Sequence, residues 1–188
     1  MTPPASVHGD ERLRLFLGLR LPDHVLDALE SWQAGLRGVR VVPREHLHVT
    51  LAFLGHRPAA ELGAIVAELR AAAARVEPDL RLGPGRYRET RSVAMLVLDD
   101  LGGGATALAD DVHARLERLG VYRRENRPWL PHVTVGRFRE RPRLRLESPR
   151  MGTFVPSDAA AYLSRLGPKG ARYEVLESVA LLNPHRGG

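Results

Sequence analysis

Two stretches decide how this chain folds: His46-Leu-His-Val-Thr-Leu-Ala-Phe-Leu54 and His132-Val-Thr-Val-Gly-Arg-Phe138. Both are rich in the branched and aromatic residues that suit a pleated surface, and along a strand successive side chains point to opposite faces. In the first stretch, period two puts Leu47, Val49, Leu51 and Phe53 on an apolar face. His46, His48, Thr50, Ala52 and Leu54 fall on the other. In the second, Val133 and Val135 point one way, His132 and Thr134 the other. Strict alternation sends Arg137 to the face away from His132, whereas a bulge at Gly136 would reverse that. The two HVT triplets lie far apart in sequence, so only tertiary folding can bring them together.

Working outward, residues 13–19 alternate Leu, Arg, Leu, Phe, Leu, Gly, Leu and read as another strand. After Pro22 and Asp23, Val25, Leu29, Trp32 and Leu36 make one stripe of an amphipathic helix. A short apolar piece at 39–42 leads through Pro43 into the first histidine strand, which is expected to stop at Gly55. An alanine-rich helix is expected over 59–76, with Pro78 as its stop. A Gly and Pro loop at 82–85 precedes a buried strand at 93–98, and a helix over 105–119 presents Leu108, Val112, Leu116 and Leu119 inward. Beyond the second histidine strand come strand-like pieces at 144–146, 160–166 and 173–182, with Gly167-Pro-Lys-Gly170 as a hairpin turn. Each half offers a helix and then an HVT strand. That pattern predicts a duplicated α+β design of two related lobes, with a pseudo-two-fold relating the histidine strands.

At 188 residues the chain has the length of one ordinary domain or of two small lobes sharing a core. The expected division is a flexible segment at 1–11, one bilobal domain at 12–182 and a tail at 183–188. Aromatics make up 5% of the residues, so the core must come mainly from Leu, Val and Ala. The net charge of +6 is carried almost wholly by arginine, since Lys169 is the only lysine. A planar guanidinium holds two phosphate oxygens at once, which suits an anionic or nucleic-acid partner; the alternative reading is that arginine richness reflects genomic base composition. Without cysteine there are no disulfides, thiolate nucleophiles or cysteine zinc sites. No segment approaches the roughly 20 apolar residues of a membrane span. A cytoplasmic monomer with no membrane association is expected.

Histidine titrates near neutrality, so one copy can accept a proton while its twin donates one. Two such groups on opposite sides of a phosphorus atom suit in-line displacement. A half-buried structural role remains open for any single histidine, and His46-x-His48 is a weak candidate for a metal site.

The segments HVTLAFLG at 48–55 and HVTVGR at 132–137 resemble the paired HxTx signatures of the 2H phosphoesterases. Within them the chain looks most like the RNA 2′,3′-cyclic phosphodiesterase subfamily, also called LigT-like 2′-5′ RNA ligases. The likeness extends to RLFLGLRLP at 14–22, RPWLP at 127–131 and GPKGARYEVLESVAL at 167–181. It implies a two-lobed α+β fold with antiparallel sheets flanking a central cleft and helices packed outside. It also implies hydrolysis of the 2′,3′-cyclic phosphate at an RNA 3′ end to a 2′-phosphate, with no metal and no cofactor. By this resemblance His48 is the proton donor to the departing O3′ and His132 the proton acceptor from water. Thr50, Thr134 and Arg137 contact the phosphate. The first motif carries Phe53 where the second carries Arg137, so an arginine clamp is expected on one side only.

The same chemistry with a 5′ hydroxyl in place of water gives 2′-5′ RNA ligation without a nucleotide cofactor. An ATP-dependent ligase would need a lysine nucleophile and a phosphate-cradling loop, and Lys169 sits in a turn. A non-catalytic RNA-end binding module and a phosphodiesterase for small cyclic nucleotides are the alternatives. Phe16, Tyr87, Trp129 and Tyr162 are candidates for stacking on a nucleobase.

Overall fold

The leucine alternation near the start forms β1 (Arg12–Arg20), in which Leu13, Leu15, Leu17 and Leu19 are all buried. A computed structural model describes residues 11–76, 80–168 and 170–181. The expected flexible segment before residue 11, the Pro78 stop, Lys169 and the tail from 183 lie outside the described residues. After β1 come α1 (Asp23–Gln33), β2 (Arg40–Val41), β3 (His48–Pro58), α2 (Leu62–Ala73), β4 (Arg81–Glu89) and β5 (Val93–Leu101). The chain continues through α3 (Gly104–Arg118), β6 (His132–Arg137), β7 (Asp158–Gly167) and β8 (Gly170–Val179).

The strands pair antiparallel in the order β4-β5-β6-β3-β1-β7-β8, and β2 pairs with β6. Two units repeat along the chain, β1-α1-β3 and β5-α3-β6, and in each the two strands are sheet neighbours. The duplicated α+β design expected from the HVT strands is therefore present. The lobes meet where β3 and β6 pair through Val49 and Val133. Counting outward from that antiparallel pair aligns His48 with Thr134 and Thr50 with His132, the relation a pseudo-two-fold demands.

The helices bury their apolar stripes against the sheet. Ile65 and Leu69 of α2 and Val112 and Leu116 of α3 are buried to 1% exposure or less. A leucine so enclosed stabilises the fold by about 2 kcal/mol through loss of water contact. Val25 and Leu29 of α1 join the same core. Among the described residues no helix is long and apolar enough to cross a membrane.

Several elements differ from the sequence reading. The Gly and Pro loop expected at 82–85 belongs to β4: the ladder with β5 continues on both sides, and the glycines sit at a register shift between Gly83 and Arg86. No strand forms at 144–146; there the backbone N–H groups of Arg143 and Leu144 donate to the buried carboxylate of Glu89, which takes the place of a sheet partner. The first histidine strand does not stop at Gly55, which has φ of 67° and passes through the strand to Pro58. α1 ends at Gln33, short of Leu36, and α2 begins only after a 3₁₀ turn at Ala59–Glu61.

The largest departure is in the phase of β3. Leu17 pairs with Ala52 but Gly18 pairs with Thr50, so Leu51 has no opposite residue. This bulge resets the alternation. Ala52 and Leu54, expected on the histidine face, are buried in the core, and Phe53, expected on the apolar face, is 49% exposed.

Candidate active site

β6 slips at the equivalent place. Ala94 pairs with Gly136 and Met95 with Thr134, which leaves Val135 unopposed beside Gly136. Each bulge sits three residues past its histidine, and each moves the residue five past that histidine onto the histidine's own side. Arg137 and Phe53 therefore both line the cleft that holds His48, Thr50, His132 and Thr134, whose volume is about 810 Å³. The structure brings all five sequence-predicted site residues to one cleft. A side chain on Gly136 would collide with Val39, so glycine is what lets β2 approach the bulge.

The two imidazoles are held alike. His48 Nδ1 lies 2.7 Å from the carbonyl oxygen of His46, and His132 Nδ1 lies 2.8 Å from that of Leu130. A carbonyl only accepts, so in both rings Nδ1 carries the hydrogen and Nε2 is left with the lone pair. In the neutral ring of His48 that lone pair accepts the hydroxyl hydrogen of Thr50, at 3.0 Å.

Their surroundings differ. His48 keeps some surface on the cleft, but its ring lies 4.8 Å from Phe16, which stacks on Tyr162 at 4.6 Å, and 5.5 Å from Tyr173. Burial among these rings disfavours the imidazolium and lowers the His48 pKa to about 4, with smaller lowering contributions from the charges of His132 and His46. His48 is thus neutral in the free protein at neutral pH. Gly18 on β1 leaves the room for this ring: a Cβ there would sit 3.3 Å from His48 Cδ2 and 3.4 Å from Tyr162 Cε2.

Phe16 and Tyr162, candidates for base stacking, are 3% and 5% exposed and serve instead as the bed under His48. Trp129 is turned inward, its indole N–H donating to the Thr50 carbonyl at 3.0 Å. Tyr87 donates its hydroxyl to Glu89 at 2.9 Å. The aromatics that do line the cleft with free surface are Phe53 and Tyr173.

The Phe53 side of the cleft also carries an arginine, from another strand. Arg14 on β1 lies 4.7 Å above the ring of Phe53, donates to Ser164 Oγ at 2.6 Å and lines the cleft. Arg40 and Arg172 line it too. Arg14 was visible in principle, since period two along β1 puts Arg14, Phe16 and Gly18 on one face; what was missing was the knowledge that this face adjoins that of His48. Among the described residues no group of three or more His, Asp or Glu is placed to hold a metal ion.

A family model described as the 2′-5′ RNA ligase superfamily matches residues 21–165. The chain belongs to that superfamily. Within it, the chain is 32% identical over 185 residues to an RNA 2′,3′-cyclic phosphodiesterase of Thermus thermophilus, covering 92% of each protein. A solved structure of a phosphoesterase superposes with a TM-score of 0.77 at 26% identity, over 91% of this chain and 99% of that one. LigT of Escherichia coli in its apo form also gives 0.77, at 24% identity, over 91% and 98%. The superfamily resemblance carried by the HVT segments and the two-lobed α+β fold both hold.

Proposed function

We propose that this chain is an RNA 2′,3′-cyclic phosphodiesterase that opens the terminal cyclic phosphate to a 2′-phosphate by two-histidine proton transfer, without a metal. The observation that carries the reading is the matched pair of imidazoles, each fixed through Nδ1 so that Nε2 is the basic nitrogen, on two strands related about Val49 and Val133. The name of the Thermus thermophilus relative supports the substrate class.

In the proposed step, His132 Nε2 removes a proton from a water as its oxygen bonds to phosphorus, and the bond from phosphorus to O3′ breaks. His48 Nε2 delivers the proton that O3′ takes up, leaving a free 3′ hydroxyl and a 2′-phosphate. Thr50, Thr134 and Arg137 donate to the non-bridging oxygens as charge grows on them. The step balances with water alone and calls for no redox partner or nucleotide. A histidine that is neutral in the free protein must gain a proton before it can act as the acid, and an anionic diester favours its uptake by offsetting the loss of solvent. The same site with a 5′ hydroxyl in place of water would form a 2′-5′ bond.

The deciding experiment is incubation of the protein in EDTA with an RNA ending in a 2′,3′-cyclic phosphate, followed by identification of the hydroxyl that keeps the phosphate. A 2′-phosphate is expected. A 3′-phosphate, or an unchanged RNA bound to the protein, would overturn the proposal.

A further inference from the structure

Gln33, His113 and Ser164 are polar residues buried in the fold. Two of them occupy corresponding places in the repeat. Gln33 ends α1, the helix of the β1-α1-β3 unit, and its Nε2 donates to the Val135 carbonyl at 2.9 Å and to the Val42 carbonyl at 3.0 Å. His113 lies on α3, the helix of the β5-α3-β6 unit, and its Nε2 donates to the Leu51 carbonyl at 2.7 Å. Val135 and Leu51 are the unopposed residues of the two bulges. Each helix thus reaches across to the bulge of the other unit's histidine strand.

These bulges decide what faces the cleft. With the slip in place, the histidine, its threonine and the residue five past the histidine share one side; without it Arg137 would turn away from His132 and Phe53 from His48. A regular ladder is the default for a strand, so a bulge persists where its backbone groups have other partners. His113 provides one for Leu51 from inside the core, where an unpartnered carbonyl is costly, and Gln33 adds a second donor to the Val135 carbonyl beside the Val42 backbone N–H at 3.0 Å.

We infer that Gln33 and His113 are positioning residues of the active site, each fixing the phase of the opposite histidine strand through its bulge carbonyl. This rests on the reading of His48 and His132 as the proton-transfer groups. Both the amide and the imidazole present an N–H to a bulge carbonyl, although the amide also reaches the Val42 carbonyl: His113→Gln and Gln33→His keep a donor for the bulge, whereas His113→Leu and Gln33→Leu remove it.

The test compares these four variants of the full chain on a 2′,3′-cyclic mononucleotide, with His48 and His132 ring resonances followed by NMR against pH. The leucine variants are expected to lose about tenfold to a hundredfold in kcat, the scale that slight misplacement of reacting groups produces, with KM changed far less. The donor-keeping variants should recover most of that loss. In the resonances, His113→Leu should move the titration of His48, and Gln33→Leu should shift the ring signals of His132. Leucine variants with wild-type kcat and unmoved resonances would overturn the inference, as would glutamine and leucine at position 113 that impair kcat equally. If the leucine variants do not fold, the two donor-keeping variants decide: folded and active supports the inference, folded and inactive overturns it. Should the protein turn over no cyclic phosphate at all, the resonances still test the positioning role separately.

Discussion

Val49 of β3 faces Val133 of β6, and through this antiparallel pair the two histidine strands meet beneath the cleft that their neighbours line. Both valines are fully buried. The residues on either side of each valine, His48 and Thr50 or His132 and Thr134, are consequently turned out together into the cleft. The packing that holds the lobes together is therefore also what brings two distant histidines to one cleft.

If those histidines carry the protons, His48→Ala and His132→Ala should each lower turnover of a 2′,3′-cyclic mononucleotide by about 10² to 10⁴. The fold should survive, because neither ring belongs to the main core. Steady-state kinetics with circular dichroism on the same samples checks both halves of the expectation. Near-normal turnover by either folded variant would remove that histidine from the mechanism.

The depressed pKa of His48, about 4, has a consequence for stability. The unfolded chain protonates this histidine near pH 6.5 and the folded one does not, so between 6.5 and about 4 the unfolded state binds more protons. Stability contributed by the neutral ring is whole above pH 6.5, declines as pH falls through that window and levels off below it. His48→Phe, which keeps a ring without a titrating nitrogen, should flatten the decline in urea midpoint between pH 6.5 and 4.5. The wild-type His48 resonance should titrate near 4 in the free protein and at higher pH with inorganic phosphate in the cleft, where an anion opposes the effect of burial.

Much of this site was readable from period-two alternation. His48 with Thr50 and His132 with Thr134 share faces because no irregularity falls between them. The reading failed one residue later. Leu51 is an ordinary strand residue with nothing in its identity to announce a bulge, and its slip moved Phe53 from the core face to the cleft. In β6 the neighbouring Gly136 did give a signal, and Arg137 lies where that signal allowed. Gly83 and Gly85 misled in the opposite sense, since the same residue type that breaks a strand also serves a bulge inside one. Arg14 and Tyr173 escaped notice for a different reason: their strands were legible, but the order β3-β1-β7-β8 that sets them beside His48 is fixed by packing over the whole chain.

Arg137 and Arg14 stand on the two sides of the cleft and should be separable. Arg137 is exposed and on the same strand as His132, without an ion-pair partner among the described residues, so Arg137→Ala should act on the phosphate and lower kcat/KM by about tenfold to a hundredfold, as expected for loss of a charge-assisted contact. Arg14 is anchored on Phe53 and Ser164. Arg14→Ala should also free the Phe53 ring, so its effect should shrink when Phe53→Ala is already present. A double-mutant cycle in kcat/KM measures that coupling, and strict additivity would show that the stacked pair does not act as a unit.

Gly18 supplies the most local test of how His48 is seated. It pairs with Thr50 across β1 and β3, beneath the imidazole, and a methyl group there would stand 3.0 Å from the Val49 carbonyl oxygen as well as 3.3 Å from His48 Cδ2. The carbonyl belongs to the pair that joins the lobes and cannot recede, whereas the ring can shift toward the open cleft. Gly18→Ala should therefore move His48 off Phe16 and lengthen its bond to Thr50, reducing kcat by about tenfold or more while costing only about 1–3 kcal/mol of stability as a mild overpacking change. The displaced ring would be better solvated, so its pKa should rise from about 4 toward the ordinary histidine range. A loss of kcat accompanied by an upward-shifted His48 titration is the expected signature, and a loss of kcat with the titration unmoved would place the damage elsewhere than at the seat of this ring.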